Sequence, residues 1–213
     1  SEYEITTIYI GGGTPSYIES KHITEVLGEI KQNYKISKDV EITIEVNPGT
    51  VTREKLETYV KVGINRISIG LQSCNDNLLK IIGRIHPFKD FLNTYQLAQT
   101  VGLKNINVDL MIGLPNQTLE DVKGSLLKII ALNPNHISVY SLIIEEGTPI
   151  ERKIESGELE LVDEELERKQ YWEVKRTLEE FGYRHYEISN FAKKGHESKH
   201  NVNWNKKNMW DLE

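Results

Sequence analysis

The sequence predicts an α/β fold built as a partial parallel (β/α) barrel, and three observations point to it. Short runs rich in Ile and Val, each bounded by turn residues, alternate with longer amphipathic segments. The longer segments carry helix start and stop signals. The connections show no long reversal of the kind a doubly wound sheet requires. The strand runs are "TTIYIGGG", "VEITIEVNPG", "INRISIGLQS", "NINVDLMIGLP" and "HISVYSLI". Several hold apolar residues on both faces, the pattern of strands covered on both sides.

Between these runs lie "KHITEVLGEIKQNY", "TREKLETYVKVG", "DFLNTYQLAQTVG" and "TLEDVKGSLLKIIALN", with "DEELERKQYWEVKRTLEEFG" after the last strand. Apolar residues recur three or four apart, as Ile23, Val26, Leu27 and Ile30 do in the first and Val122, Leu126, Leu127 and Ile130 in the fourth. Thr52 and Thr118 stand where N-caps belong, and Gly63, Gly102 and Gly182 where C-terminal caps belong. Strand and helix in strict alternation imply right-handed crossovers and a parallel sheet. "YRHYEISNFA" reads as a sixth strand, followed by a polar segment rich in His and Asn. The domain division expected is 1–182 as the barrel and 183–213 as the following strand and the start of a C-terminal region.

At 213 residues and 38% hydrophobic, the chain can bury one substantial core. Its 26 basic and 32 acidic residues are interleaved and sum to −6, which argues against duplex nucleic acid as a partner. No apolar run approaches the roughly 18 residues of a membrane span. The single cysteine, Cys74, excludes an intrachain disulfide, and a cytoplasmic location is expected. The chain reaches its first strand almost at once and ends without a closing element, as a piece of a longer protein does.

In parallel α/β folds ligands bind where strands end, so the strand ends are the places to search. The first finishes in Gly11, Gly12, Gly13, Thr14 and Pro15, the second carries Glu45, the third ends at Gln72, and the fourth buries Asp109 in an apolar run. A carboxylate there needs a partner, supplied by a ligand or by a neighbouring loop. One glycine suffices for a tight turn; three allow exposed N–H groups to approach a carboxylate or phosphate. The Lys-Ser/Thr ending of a phosphate-binding P-loop is absent. These residues by themselves lead as far as a small polar ligand, anionic in part. His86 and His136 read as structural, and Cys74 as a packed residue and not a ligand.

In this order, "YIGGGTP", "IEVNPG", "RISIGLQSCND", "GRIH", "NINVDLMIGLPNQT", "HISVYSL" and "YEISNFA" resemble the radical S-adenosylmethionine proteins related to oxygen-independent coproporphyrinogen III oxidase, and their haem chaperone branch in particular. The resemblance covers essentially the whole chain. It implies that Gly12, Gly13 and Thr14 meet the methionine end of S-adenosylmethionine, that Glu45 and Gln72 hydrogen-bond this cofactor around its ribose, that Arg84 approaches its carboxylate, and that Asp109 is a further contact. It also implies a [4Fe-4S] cluster on a CxxxCxxC loop after the first barrel strand. That loop belongs upstream of "TTIYIGGGTP", so the first strand and its cysteines are expected to be missing from this chain. The chain alone is then expected to hold no cluster, to generate no radical and to bind S-adenosylmethionine weakly.

"KHNVNW" resembles the HNxxYW motif of the haem chaperone branch, in which the histidine ligates haem. His200 and Asn201 match, whereas Trp204 is followed by Asn205 and the Tyr-Trp pair is not present. The function implied is a haem-binding chaperone that delivers haem to an acceptor protein, at a membrane or in respiration. Two alternatives stand beside it: a coproporphyrinogen III dehydrogenase that decarboxylates propionate side chains, and a barrel enzyme acting on a phosphorylated metabolite at "GGGTP". No metal ligand set and no catalytic residue is assigned within the chain.

Overall fold

The structure, a computed structural model, describes residues 3–203. The expectations for Trp204 and Asn205 lie outside the described residues. Among the described residues seven strands form one open, curled sheet in the order β1-β2-β3-β4-β5-β7-β6. The first five, β1 (Glu4–Ile10), β2 (Lys35–Val46), β3 (Arg66–Gln72), β4 (Asn105–Ile112) and β5 (His136–Ser141), are all parallel. The crossovers are α1 (Ser20–Asn33), α2 (Arg53–Lys61), the pair α3 (Asp76–Ile81) and α4 (Phe88–Thr100), and α5 (Leu119–Ala131). After β5 come α6 (Pro149–Glu155) and α7 (Glu164–Glu180). The partial barrel expected from the alternation is thus present.

The helices begin and end where their caps require. Thr52 accepts a hydrogen bond from the Lys55 N–H, and Thr118 and Asp121 form a reciprocal capping box at α5. Gly63, Gly102 and Gly182 all take positive φ just past a helix end. Two helices were not expected. Both α3 and α6 are too short for a periodic pattern to declare itself, although Thr148 and Pro149 at the start of α6 are a cap followed by an N-terminal proline.

Two expectations are corrected. "YRHYEISNFA" is a hairpin and not one strand: β6 (Arg184–Glu187) turns at Ile188 and Ser189 into β7 (Asn190–Ala192), and β7 runs antiparallel to β5. The turn is held to the sheet by the Val139 N–H, which donates to the Ser189 carbonyl at 2.7 Å. The sheet is also not apolar on both faces. Ile42, Ile44, Val46, Ile67, Ile69, Leu71, Ile106 and Val108 pack with Leu56, Tyr59, Phe91, Tyr95, Leu126 and Leu178 of the helices in a single core. The alternate residues point to the concave face, which is polar. There Tyr9, Thr43 and Arg66 form one register row, and Glu45, Ser68, Asn107 and His136 the next. The crossover helices cover the convex side, so that side has to be apolar.

Candidate functional site

The turn after β1 is shaped by β1 and β2 together. Tyr9 donates its hydroxyl to Glu45 Oε1 at 2.8 Å, and Glu45 Oε2 accepts from the Gly12 N–H at 3.1 Å. These bonds pin the carboxylate directly beneath Gly11. A Cβ there would lie 2.8 Å from Tyr9 Cε1 and 2.9 Å from Glu45 Cδ, so the chain itself requires this glycine. Gly12 and Gly13 serve differently: both take positive φ, and among the described residues, chain neighbours apart, no heavy atom lies within 4 Å of where their Cβ atoms would be. We expect Gly11→Ala to destabilise the fold by about 1–3 kcal/mol in chemical denaturation, because neither pinned neighbour can yield freely. An unchanged midpoint would show that they can.

A cavity of about 180 Å³ opens beside this turn, at the C-terminal ends of β2, β3 and β4. Gly13, Thr14, Glu45, Gln72, Arg84 and Asp109 all line it, together with Asn47, Ser68 and Gly70. Five separate segments therefore bring together the residues singled out in the sequence, except His200; Gly12 touches the site through its bond to Glu45. Gln72 reaches the cavity through a bulge, since the pairing of β3 with β4 shifts register between Gly70 and Gln72. Its φ is 69°, in the left-handed region, and its Oε1 is buried with no hydrogen-bond partner among the described residues. A left-handed backbone and an unpaired buried acceptor thus coincide in one residue that lines the cavity.

Arg84, in the loop after α3, enters over Gly70. Its Nη2 stands 3.7 Å from where a Gly70 Cβ would be, and its Nη1 donates to Asn47 Oδ1 at 3.0 Å. Asn47 in turn donates from Nδ2 to Thr14 Oγ1 at 3.0 Å, so the arginine, β2 and the glycine turn are linked in series. Burial lowers the Arg84 pKa and the Asp109 charge opposes that shift; a guanidinium stays charged throughout the working range.

Asp109 is held at the cavity floor by Ser68, whose hydroxyl donates to Oδ2 at 3.0 Å, and by Asn107, whose Nδ2 donates to Oδ1 at 2.7 Å. Burial pushes its carboxyl up to about 6, against the pull of these two bonds and of Arg66. The network continues across the concave face. His136 Nδ1 donates to Asn107 Oδ1 at 2.6 Å, and His136 Nε2 accepts from the Tyr186 hydroxyl at 2.7 Å. Burial and then Arg66 hold this imidazole well below its ordinary pKa, so it stays neutral with one ring nitrogen donating and the other accepting. Sequence reasoning missed Tyr9, Asn47, Ser68 and Asn107. Two of the four carried a signal, a spacing of two from a residue it did find: Asn47 follows Glu45 by two, and Asn107 precedes Asp109 by two.

His200 lies outside the cavity, on a helical segment beginning at 199, with its ring 4.9 Å from that of Tyr9. Cys74 is buried, donates its thiol to the Ser125 carbonyl at 3.8 Å, and is pushed up to about 12 chiefly by burial, so it is a packed and unreactive thiol. His86 is buried too, its Nε2 without a hydrogen-bond partner among the described residues. No group of three or more His, Cys, Asp and Glu among the described residues is arranged to hold a metal.

Residues 1–129, which carry the glycine turn, Glu45, Gln72, Arg84 and Asp109, match the Radical SAM superfamily. The chain belongs to the radical SAM superfamily. That membership favours the family resemblance over the reading of a barrel enzyme on a phosphorylated metabolite, which rested on the glycine turn alone. Among curated proteins, this radical SAM chain is 40% identical over 202 residues to the Heme chaperone HemW of Bacillus subtilis, covering 94% of this chain and 53% of that protein. It is 39% identical over 201 residues to the Heme chaperone HemW of Escherichia coli, covering 94% and 52%. The chain thus spans about half the length of the curated relatives it matches. Its fold superposes on the coproporphyrinogen III oxidase HemN of Escherichia coli with a TM-score of 0.81 at 25% identity, over 95% of this chain and 46% of that one. Elp3 of Methanocaldococcus infernus shares the fold at a TM-score of 0.68 and 24% identity, over 81% of this chain and 45% of that one.

Proposed function

We propose that this chain is the S-adenosylmethionine-binding half-barrel of a haem chaperone. The observation that carries the reading is identity of about 40% over 94% of the chain with proteins named haem chaperones. The cavity supports the cofactor assignment on its own chemistry. The open backbone of Gly12 and Gly13, with Thr14, suits the amino acid end of S-adenosylmethionine, and the Arg84 fork suits its carboxylate. Glu45, Asp109 and the unpaired Gln72 Oε1 supply acceptors for hydroxyl and amino donors, and the two carboxylates suit a sulfonium cation. When bound beside a reduced iron-sulfur cluster, this cofactor supplies radical chemistry. The cluster itself does not fit this chain: it takes thiolate ligands, and the one cysteine, Cys74, is buried against Ser125. The role left to the chain's own residues is to bind and orient the cofactor and to hold the acceptors around it fixed.

Haem enters this reading as cargo, with the His200 imidazole as an axial ligand, and the partner is a haem-accepting protein, at a membrane or in respiration. A cytoplasmic site of action belongs to the same proposal; among the described residues no helix is long and apolar enough to cross a membrane. The test is a haem titration of the full-length protein followed at the Soret band. A shifted band that is lost in His200→Ala is expected, and haem spectra identical in the two proteins would sink the reading. The second reading, a coproporphyrinogen III dehydrogenase, is favoured by the TM-score of 0.81 to HemN. Anaerobic conversion of coproporphyrinogen III by the reconstituted full-length protein would support it over the chaperone.

A further inference from the structure

The segment that carries His200 is tied to the cavity by two chains of contacts. In the first, the His200 ring rests on the Tyr9 ring with centroids 4.9 Å apart and planes tilted by 30°. The Tyr9 hydroxyl bonds Glu45 at 2.8 Å, and Glu45 bonds the Gly12 N–H at 3.1 Å. In the second, the Ser198 N–H donates to the Tyr186 hydroxyl at 3.2 Å, and Tyr186, His136 and Asn107 lead on to Asp109. The backbone between them is fixed at Glu41, whose Oε1 accepts from the Ser198 hydroxyl and from the His200 N–H, both at 3.3 Å. One short segment thus ends on both carboxylates of the cavity.

We propose that Tyr9 is a positioning residue for the cofactor site, and that the His200 segment regulates cofactor affinity through it. Tyr9 fits this role because each of its two ends has one task. Its ring bears the imidazole, and its hydroxyl fixes the side chain that in turn fixes the glycine turn. Burial and the Glu45 charge hold the phenol well above its ordinary pKa, so it remains a donor at any working pH. Gly11 closes the arrangement: with no Cβ, it lets Tyr9 and Glu45 meet directly under the turn. A metalloporphyrin that takes the His200 imidazole must draw it off the Tyr9 ring, which loosens Glu45 and Gly12. Haem then weakens S-adenosylmethionine binding, and by linkage S-adenosylmethionine weakens haem binding by the same factor. This deepens the proposed function and rests on its two assignments, S-adenosylmethionine in the cavity and haem at His200.

The test uses the full-length protein, with S-adenosylmethionine affinity measured by calorimetry with and without saturating haem, and haem affinity by the Soret band. Tyr9→Phe is the informative variant, since it keeps the ring under His200 and removes only the hydroxyl. We expect haem to weaken S-adenosylmethionine binding by about fivefold in the parent protein. Tyr9→Phe is expected to weaken it by roughly fivefold in the absence of haem and to abolish the haem effect, with the Soret titration unchanged. A purely structural tyrosine would leave the haem effect in place. Equal haem effects in the parent and in Tyr9→Phe, with a His200-dependent Soret band present in both, would overturn this inference while leaving the chaperone reading intact. Loss of any His200-dependent Soret band from the parent would overturn both.

Discussion

Replacing Arg84 by lysine is expected to weaken S-adenosylmethionine binding to the full-length protein by roughly ten- to a hundredfold, about 1.4–2.8 kcal/mol. The charge is conserved in this substitution, so the loss measures geometry. Arg84 does two things at once: Nη1 holds Asn47, and through it Thr14, while the rest of the fork stays free to face the cavity. Lysine has one point of attachment on a flexible stem and cannot satisfy Asn47 and a carboxylate together. The room for the planar group is provided by Gly70, where a side chain would come within 3.2 Å of Asn47 Oδ1. Calorimetric titration, with circular dichroism as a check on folding, decides the matter. An unchanged dissociation constant in a folded Arg84→Lys protein would remove Arg84 from the site.

The second large effect is a change of stability with pH. Asp109 is pushed up to about 6 in the folded chain, mainly by burial, from an ordinary value near 4. Between about pH 4 and 6 the unfolded chain therefore releases this proton while the folded chain retains it. The folded state binds more protons in that window, so this residue's contribution to stability falls as pH rises through it and is constant above. An asparagine at this position cannot ionise and carries no such penalty, so Asp109→Asn should gain on the parent protein by up to about 3 kcal/mol between pH 4 and pH 7.5. Asp109 is half-buried at the cavity floor, and solvent screening there brings the gain below this ceiling. Denaturant unfolding of both proteins at the two pH values reads the difference directly, and a gap that does not move with pH would refute it. The same substitution should cost cofactor affinity at pH 7.5, because a charged acceptor is lost. A variant that is more stable and binds less well is the usual signature of a residue kept for function at the expense of the fold.

Much of the site was legible because parallel strands present their C-terminal ends to one side, and Glu45, Gln72 and Asp109 stood at those ends. Arg84 was not legible in that way: it sits in a loop after a helix too short to be recognised, and only the resemblance of "GRIH" singled it out. Ser68 and Asn107 were hidden for a different reason. A polar residue inside an Ile/Val run looks the same whether it faces solvent or a closed network, and only the curl of the sheet decides which. Tyr9 was masked by the apolar run around it, since its ring belongs with its neighbours and its hydroxyl does not. The hairpin of β6 and β7 escaped because its turn, Ile188 and Ser189, has none of the Gly, Asn or Asp residues that normally announce one. The helices, by contrast, were readable almost to the residue wherever Thr and Gly marked their ends.

The polar concave face has a further consequence. Along β2, β3 and β4, odd and even residues carry two separate messages: one set is packed against helices and answers to the core, the other answers only to whatever lies in the trough. Substitutions in the second set leave the first untouched, provided that the hydrogen bonds stay paired. Such a sheet can change what lines its trough without relearning how to fold, because the residues that hold the core together are not the residues that face the ligand.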